Sequence, residues 1–179
     1  MPETVDPLWP LAAFYRATGR TPPPITPIEG GDMPQPYAQL LVHKADMTGT
    51  LEHYYGDTIH LKIIDTVRQG NVYSRQVALV LDAGKRAVEY GAICMYLDAF
   101  PAPVRELILK DDRPLGSIMT DIALPHLSNP SCYFTMESDD LIANALQFTG
   151  RHTLYGRCNI ISNNDVLLAN IVEILPPEE

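Results

Sequence analysis

The sequence predicts an α+β fold, with a single antiparallel β-sheet of about six strands and flanking helices, in one domain over residues 1–179. Three consecutive strand-like runs, TIHLKIIDTV, VYSRQVALVLD and AVEYGAICMYL, are joined by the connections RQGN and DAGK. Short glycine-containing connections of this kind are typical of antiparallel hairpins. A further pair of runs, RHTLYGRCNIIS and VLLANIVEIL, is joined by the turn NND. Helical segments before and between these runs complete the α+β order.

Three helices are predicted before the first strand. LWPLAAFYRATG forms a short apolar helix that ends at its glycine, and YAQLLVHKA forms a second. Asp46 is the N-cap of a third helix, from Met47 to about Tyr55, which Gly56 ends. The helical spacing of the apolar residues predicts that the Met47 side chain packs in the core.

The region between the two sets of strands is predicted to be mainly helical. FPAPVRELILKDDRP contains one helix, and RPLGSIMTDIAL starts a second at its Pro-Leu-Gly turn. SCYFTMES is either a short strand or an extended loop, and DDLIANALQF is a brief helix with an acidic first turn. These segments supply the layers that cover the sheet.

Residues 20–37, RTPPPITPIEGGDMPQPY, contain too many prolines and glycines for a regular element. Such a stretch is expected to be a linker that follows the surface or a lid within the domain.

The composition disfavours several classes of partner. The net charge is −9, and only 13 lysines and arginines are spread along the chain, which argues against nucleic-acid binding. No apolar run approaches the roughly 20 residues of a membrane span, and the N-terminus has no basic segment typical of a signal peptide. We therefore expect a cytoplasmic protein, either a monomer or a small homo-oligomer.

Cysteine and histidine spacing indicates no metal site. The three cysteines lack a CxxC pair, which also argues against a disulfide framework, and the five histidines lack HxH and HExxH spacing. Neither a metal nor another cofactor is expected.

Ionisable residues inside apolar strands are the strongest functional signal. Arg75 lies in YSRQVALVL and Glu173 in LLANIVEILPP. A charge in such a run is costly unless it is paired, so the two residues either pair with each other or face a polar ligand. Each taken alone could also be a charge at the rim of the sheet. Glu89, in AVEYGAI, has the same alternatives, and a solvent-facing position is favoured for it.

Four segments in chain order resemble the chorismate lyase (chorismate pyruvate-lyase) family. They are LLVHKADMTGTLE, VYSRQVALVL, RPLGSIM, and the terminal pair LYGRCNIISNND and LLANIVEILPP. The resemblance extends from about residue 38 to the C-terminus, and it implies the chorismate lyase-like fold with an enclosed ligand pocket.

The resemblance also implies roles for four residues. Arg75 resembles the arginine that binds the ring carboxylate, and Glu173 resembles the carboxylate at the opposite, hydroxyl end, a candidate proton acceptor. Met47 and Leu115 correspond to the positions whose backbone N–H groups complete the carboxylate site. Guanidinium groups and helix-start N–H groups both suit a carboxylate.

The implied activity is a carbon-oxygen lyase that eliminates pyruvate from chorismate and leaves 4-hydroxybenzoate, without any cofactor. The sequence departs from the family at Ala92, where family lyases carry a second arginine; Arg86, Arg151 and Arg157 are the candidate replacements. Two alternatives therefore stand beside the lyase. One is an enzyme of secondary metabolism that acts on another carboxylated ring, and the other is a non-catalytic protein that binds an aromatic acid. In each case the partner is a small aromatic or cyclohexadiene carboxylate.

Overall fold

The computed structural model describes residues 6–178, in which seven strands and six α-helices are found. The strands are β1 (Ile25–Ile28), β2 (Ile59–Gln69), β3 (Val72–Leu81), β4 (Ala87–Tyr96), β5 (Leu127–Glu137), β6 (Thr153–Asn163) and β7 (Val166–Ile174). The helices are α1 (Leu11–Ala17), α2 (Tyr37–Leu41), α3 (Met47–Tyr55), α4 (Ala102–Ile108), α5 (Leu115–Ile122) and α6 (Asp140–Leu146). The prediction that no signal peptide begins the chain depends partly on residues 1–5, which lie outside the described residues.

The strands form one sheet in the order β1-β5-β6-β7-β4-β3-β2, and every neighbouring pair is antiparallel. This arrangement confirms the predicted fold class. The β2-β3-β4 meander and the β6-β7 hairpin coincide with the runs that the turn residues delimit. SCYFTMES is part of β5, whose 11 residues make it longer than the sequence indicates.

The seventh strand lies in the proline-rich stretch, so the expectation that residues 20–37 lack a regular element is wrong for β1. Ile25 pairs with Met136 and Ile28 pairs with Tyr133 of β5. Pro27 is tolerated because β1 is at the edge of the sheet, where one side of the strand needs no hydrogen-bonded partner. Whether the stretch acts as a lid stays a prediction.

Helices cover both faces of the sheet. Residues of α1 and α6 pack on one face, in a cluster that includes Tyr90 and Val172. The other face is covered by α2 to α5, in two apolar clusters that include Ile118 and Leu51 respectively. Because both faces are covered, β3 and β4 are buried along almost their whole length, including the polar residues Arg75, Gln76 and Glu89.

No helix within residues 6–178 has the length and apolar character needed to cross a bilayer.

Candidate functional site

A cavity lies between the sheet and the first turns of α3 and α5. Its volume is ≈ 60 Å³, measured as the space open to the centres of water molecules. One water needs about 10–15 Å³ on this measure, so the cavity has room for several waters or one compact ring. All four site residues predicted from the sequence line the cavity: Met47, Arg75, Leu115 and Glu173.

Two rows of paired strand residues form the sheet side of the site. The first row crosses β3, β4, β7 and β6 through Arg75, Ile93, Ile171 and Asn159. The second row crosses the same strands through Val77, Gly91, Glu173 and Arg157. Alternate residues of a strand share one face, so these positions present their side chains to the side on which α3 and α5 lie.

Arg75 is buried without a strong partner. Its side chain is 1% exposed, and its Nε atom has no hydrogen-bond acceptor. Its Nη1 atom lies 3.4 Å from both Asp111 Oδ1 and the Arg113 carbonyl oxygen, which is longer than a good hydrogen bond. Burial lowers the pKa of Arg75 and Asp111 opposes this shift, but an arginine stays charged in proteins. The site therefore contains a cation whose hydrogen-bonding capacity is largely unused.

Asp111 is only partly available to Arg75 because Tyr73 also binds it. The Tyr73 hydroxyl donates to both carboxylate oxygens of Asp111 at 2.6 Å. Burial and this hydrogen bond raise the pKa of Tyr73 to about 12, so the hydroxyl remains a donor. The Asp111 side chain is also 34% exposed, so solvent screens the attraction between its carboxylate and the buried guanidinium of Arg75.

The first turns of α3 and α5 provide free backbone donors beside the cavity. Met47 begins α3 and its side chain is buried in the same cluster as Leu51, as the helical spacing predicts. Leu115 begins α5 after Pro114, and no side chain caps either helix. The first N–H groups of a helix have no acceptor within the helix and favour an anion.

Asp46 occupies the predicted N-cap position but does not cap α3 with its side chain. Its carboxylate instead accepts a hydrogen bond from His126 Nε2 at 2.8 Å, while His126 Nδ1 donates to the Leu124 carbonyl oxygen at 2.8 Å. Burial lowers the pKa of His126, but these two interactions outweigh it and the pKa is raised. The Asp46 carboxylate thus binds the loop after α5 instead of capping α3, so it leaves the first backbone N–H groups of α3 free.

Glu173 and Arg75 do not pair with each other. The Glu173 carboxylate accepts a hydrogen bond from Arg157 Nε, and both side chains are buried. The other nitrogens of Arg157 donate to three carbonyl oxygens, that of Leu41 at the end of α2 at 3.1 Å and those of His43 at 3.0 Å and Ala45 at 3.3 Å in the loop before α3. Glu173 lines the cavity, but its charge is already balanced by a dedicated arginine.

Glu89 is a buried member of the site, so the solvent-facing position favoured from the sequence is wrong. It is 5% exposed, its Oε2 atom has no partner, and it lines the cavity. Burial raises the pKa of Glu89 strongly, the nearby Glu173 raises it further, and Arg157 opposes the shift. Burial therefore favours the protonated form of the Glu89 carboxyl group. In the sequence, Glu89 alternates with Gly91 and Ile93 along the strand. This alternation indicates that all three share the face of the sheet on which the cavity lies.

Asn159 also belongs to the site and was not singled out from the sequence. Its Nδ2 atom donates to Ser128 Oγ at 2.8 Å, and its Oδ1 atom has no partner. Its position in β6, two residues beyond Arg157 on the same face, is the only signal that sequence reasoning offered. Within residues 6–178, three buried side-chain atoms lack a hydrogen-bond partner, Arg75 Nε, Glu89 Oε2 and Asn159 Oδ1, and the three residues that carry them all line this cavity.

None of the candidate replacements for the second family arginine lines the cavity. The Ala92 side chain packs on the opposite face of the sheet, in the cluster that contains Tyr90. Arg157 is engaged by Glu173, Arg86 lies over the Tyr55 ring at 5.5 Å, and Arg151 is exposed. Among the described residues that line the cavity, Arg75 is the one arginine. No group of three or more potential metal ligands occurs within residues 6–178.

Neither a protein-family profile nor a curated protein matches the chain. Solved structures match its fold. The ligand-binding domain of a protein assigned to the GntR family of transcriptional regulators, from Bordetella bronchiseptica, superposes with a TM-score of 0.51 and 12% identity. That match covers 68% of this chain and 87% of the Bordetella chain.

PhnF from Mycobacterium smegmatis superposes with a TM-score of 0.54 and 12% identity, over 75% of this chain. The chain spans 64% of the length of PhnF. Identities this low establish the fold alone. They support the chorismate lyase-like α+β fold that the four sequence segments implied, whereas membership of the chorismate lyase family is not shown.

Proposed function

We propose that this chain is a binding domain for a small organic carboxylate that contains a single ring. The observation that carries the proposal is the buried, weakly partnered Arg75 guanidinium in a cavity that two uncapped helix starts also border. A carboxylate would supply the acceptors that Arg75 Nε and the first-turn N–H groups at Met47 and Leu115 lack. Charge-assisted hydrogen bonds of this type are among the strongest in proteins.

Two features favour binding over lyase chemistry. Chorismate is a dianion, and among the described residues that line the cavity Arg75 is the one arginine, while Arg157 nearby is neutralised by Glu173. The hydrogen bond from Arg157 also occupies the carboxylate of Glu173, which the resemblance implies is the proton acceptor. A pocket of this kind can retain its carboxylate site without the chemistry.

The structural likeness suggests a biological setting for binding. The Bordetella protein is the ligand-binding domain of a regulator, and we extend the ligand-binding role, at the level of a hypothesis, to this chain. The expected absence of nucleic-acid binding depends on the charge of the sequence alone and stays a prediction.

Isothermal titration calorimetry with benzoate and 4-hydroxybenzoate tests the proposal. Wild-type protein is expected to bind at least one of them, and Arg75→Met to bind it about 100-fold more weakly, because a charge-assisted contact contributes about 3 kcal/mol. Arg105→Met, which removes a partly exposed arginine of α4 outside the cavity, is the matched control and should bind like wild type. Equal affinity of Arg75→Met and wild type would contradict the proposed carboxylate site.

The chorismate lyase reaction is the second candidate, favoured by the presence of Met47, Arg75, Leu115 and Glu173 around one cavity. Incubation with chorismate, with pyruvate followed by a coupled assay and 4-hydroxybenzoate by ultraviolet absorbance, separates it from simple binding. We expect no product above the spontaneous rate. Enzyme-dependent release of both products would replace the binding proposal with the lyase.

A further inference from the structure

We propose that the ligand carries two uncharged polar groups in addition to its carboxylate, one bound by Asn159 and the other by Glu89. This inference depends on the proposed carboxylate site at Arg75 and deepens it by naming the ligand class. Its basis is that the three buried side-chain atoms without partners in residues 6–178 belong to these three residues, which line one cavity. Burying a polar atom without a partner costs free energy, so a ligand that satisfies all three recovers it.

The sheet register places the three residues at different sides of the cavity. Arg75 and Asn159 share a row but lie on β3 and β6, with β4 and β7 between them. Three strand spacings correspond to about 14 Å between their Cα atoms in a flat sheet. Glu89 lies four residues along β4 from Ile93, the member of that row on β4, which is about 13 Å away along the strand. The three side chains therefore approach a bound ring from three directions.

The chemistry of Asn159 requires a donor on the ligand. The amide nitrogen already donates to Ser128 Oγ, and the remaining Oδ1 atom can only accept. A hydroxyl or amino group on the ring meets this requirement, whereas a carboxylate, an ether or a methyl group does not.

The surroundings of Glu89 require an uncharged group. Glu173 and Arg157 are the charged residues that act on Glu89, and they form an ion pair with each other. No free cation is therefore left at that end of the cavity for a second ligand carboxylate. The Oε2 atom of Glu89 has no partner, and the protonated carboxyl group that burial favours can both donate and accept, so a hydroxyl or carbonyl group suits it. Together these requirements define a monoanionic, at least doubly substituted ring acid.

Calorimetry with a graded set of acids tests the inference on wild-type protein: benzoate, 4-hydroxybenzoate, 3,4-dihydroxybenzoate and terephthalate. The dihydroxy acid is expected to bind at least 10-fold more tightly than benzoate, since one added hydrogen bond contributes about 1.4 kcal/mol. Terephthalate, which carries a second carboxylate, is expected to bind more weakly than benzoate.

Asn159→Leu and Glu89→Leu should each reduce the ratio of the benzoate Kd to the 3,4-dihydroxybenzoate Kd from the wild-type value of about 10 towards about 3, whatever their effect on benzoate itself. Asn144→Leu, on the exposed side of α6, is the matched control and should keep the wild-type ratio. If either site variant fails to fold, the wild-type series still decides the question.

Benzoate binding as tightly as the dihydroxy acid would overturn the inference and leave the carboxylate site standing. Terephthalate binding most tightly would overturn the uncharged character of the Glu89 end. Absence of binding by all four acids would instead remove the proposed function, and this inference with it.

Discussion

Arg157 of β6 donates a hydrogen bond from Nε to the carboxylate of Glu173 on the neighbouring strand β7. Its remaining nitrogens join the sheet to the segment before α3, because they donate to the carbonyl oxygens of Leu41 at the end of α2 and of His43 and Ala45 in the loop that follows. The loop ends at Asp46, directly before the first turn of α3. The ion pair therefore positions the start of α3, which borders the cavity. The charge of Arg157 is neutralised by Glu173 and is not available to a ligand in the cavity.

Removing one partner of this ion pair is expected to destabilise the protein strongly. Arg157→Ala leaves Glu173 and the loop carbonyl groups without donors, which should lower the free energy of unfolding by about 3–5 kcal/mol. Urea denaturation measures the change. The double variant Arg157→Met with Glu173→Leu should be more stable than Arg157→Ala, because it removes both buried charges. A cost below about 1 kcal/mol for Arg157→Ala would contradict the buried pairing.

Arg75→Met should have the opposite effect on the ligand-free protein. The substitution removes a buried charge with weak partners and retains a side chain of similar length, so unfolding should require about 1–3 kcal/mol more. Denaturation without ligand checks this gain. Addition of a binding acid at 100 times its wild-type Kd should stabilise wild type by about 2.7 kcal/mol and Arg75→Met, which binds about 100-fold more weakly, by about 0.4 kcal/mol. Clear destabilisation by Arg75→Met would show that Asp111 compensates the charge fully.

Glu89→Gln should remove a pH-dependent destabilisation. The folded pKa of Glu89 is raised by burial and then by Glu173, so the folded state binds a proton that the unfolded state has released. Its contribution to stability is complete below the unfolded pKa of about 4.3 and decreases as pH rises towards the folded pKa.

The stability advantage of Glu89→Gln should therefore be absent near pH 4 and grow towards pH 8, where about 1–3 kcal/mol is expected. Denaturation midpoints at a series of pH values measure it. A constant difference between the two proteins at every pH would argue that Glu89 is ionised in the folded protein.

His126 should stabilise the start of α3 only while it is protonated. Its two ring nitrogens face two acceptors, the Leu124 carbonyl and the Asp46 carboxylate, and only the imidazolium can donate to both. Because the folded pKa is raised, this stabilisation is complete below the unfolded pKa of about 6.5 and is lost as pH rises through the folded value.

His126→Gln should thus lower stability by about 1 kcal/mol at pH 5.5 and by less at pH 8.5. His53→Gln, at an exposed position in α3, is the control and should give a small, flat difference. Proton NMR titration of the His126 ring checks the direction of the pKa shift directly. A value at or below 6.5 would contradict the proposed pairing.

Two glycines should respond to alanine in opposite directions. A Cβ at Gly91 would lie 1.9 Å from the Val172 carbonyl oxygen, so Gly91→Ala should destabilise by about 3 kcal/mol or more. At Gly49, in the exposed interior of α3, a Cβ would meet no atom within 4 Å. Gly49→Ala should stabilise by about 0.5–1 kcal/mol, because alanine loses less backbone entropy in a helix. Thermal denaturation distinguishes these effects.

The hairpins of the sheet could be predicted because their signals are local. The turns around Gly70 and at Asn164 lie between apolar runs and delimit β2-β3 and β6-β7 within a few residues. By contrast, β1 is a strand because β5 supplies its hydrogen bonds from a distant part of the chain. Three prolines in the segment before it favour a loop locally, and no local rule reveals the partner.

The sequence by itself determined the fold class and the presence of costly charges in buried strands, because turn chemistry and hydrophobic runs act over a few residues. Those charges, together with the resemblance, were enough to indicate Met47, Arg75, Leu115 and Glu173 as one group. Only the tertiary structure decided which charge has a partner. The register of β6 on β7 pairs Glu173 with Arg157, and burial raises the pKa of Glu89. Pairing and desolvation depend on neighbours across the sheet, which a strand's own sequence does not specify.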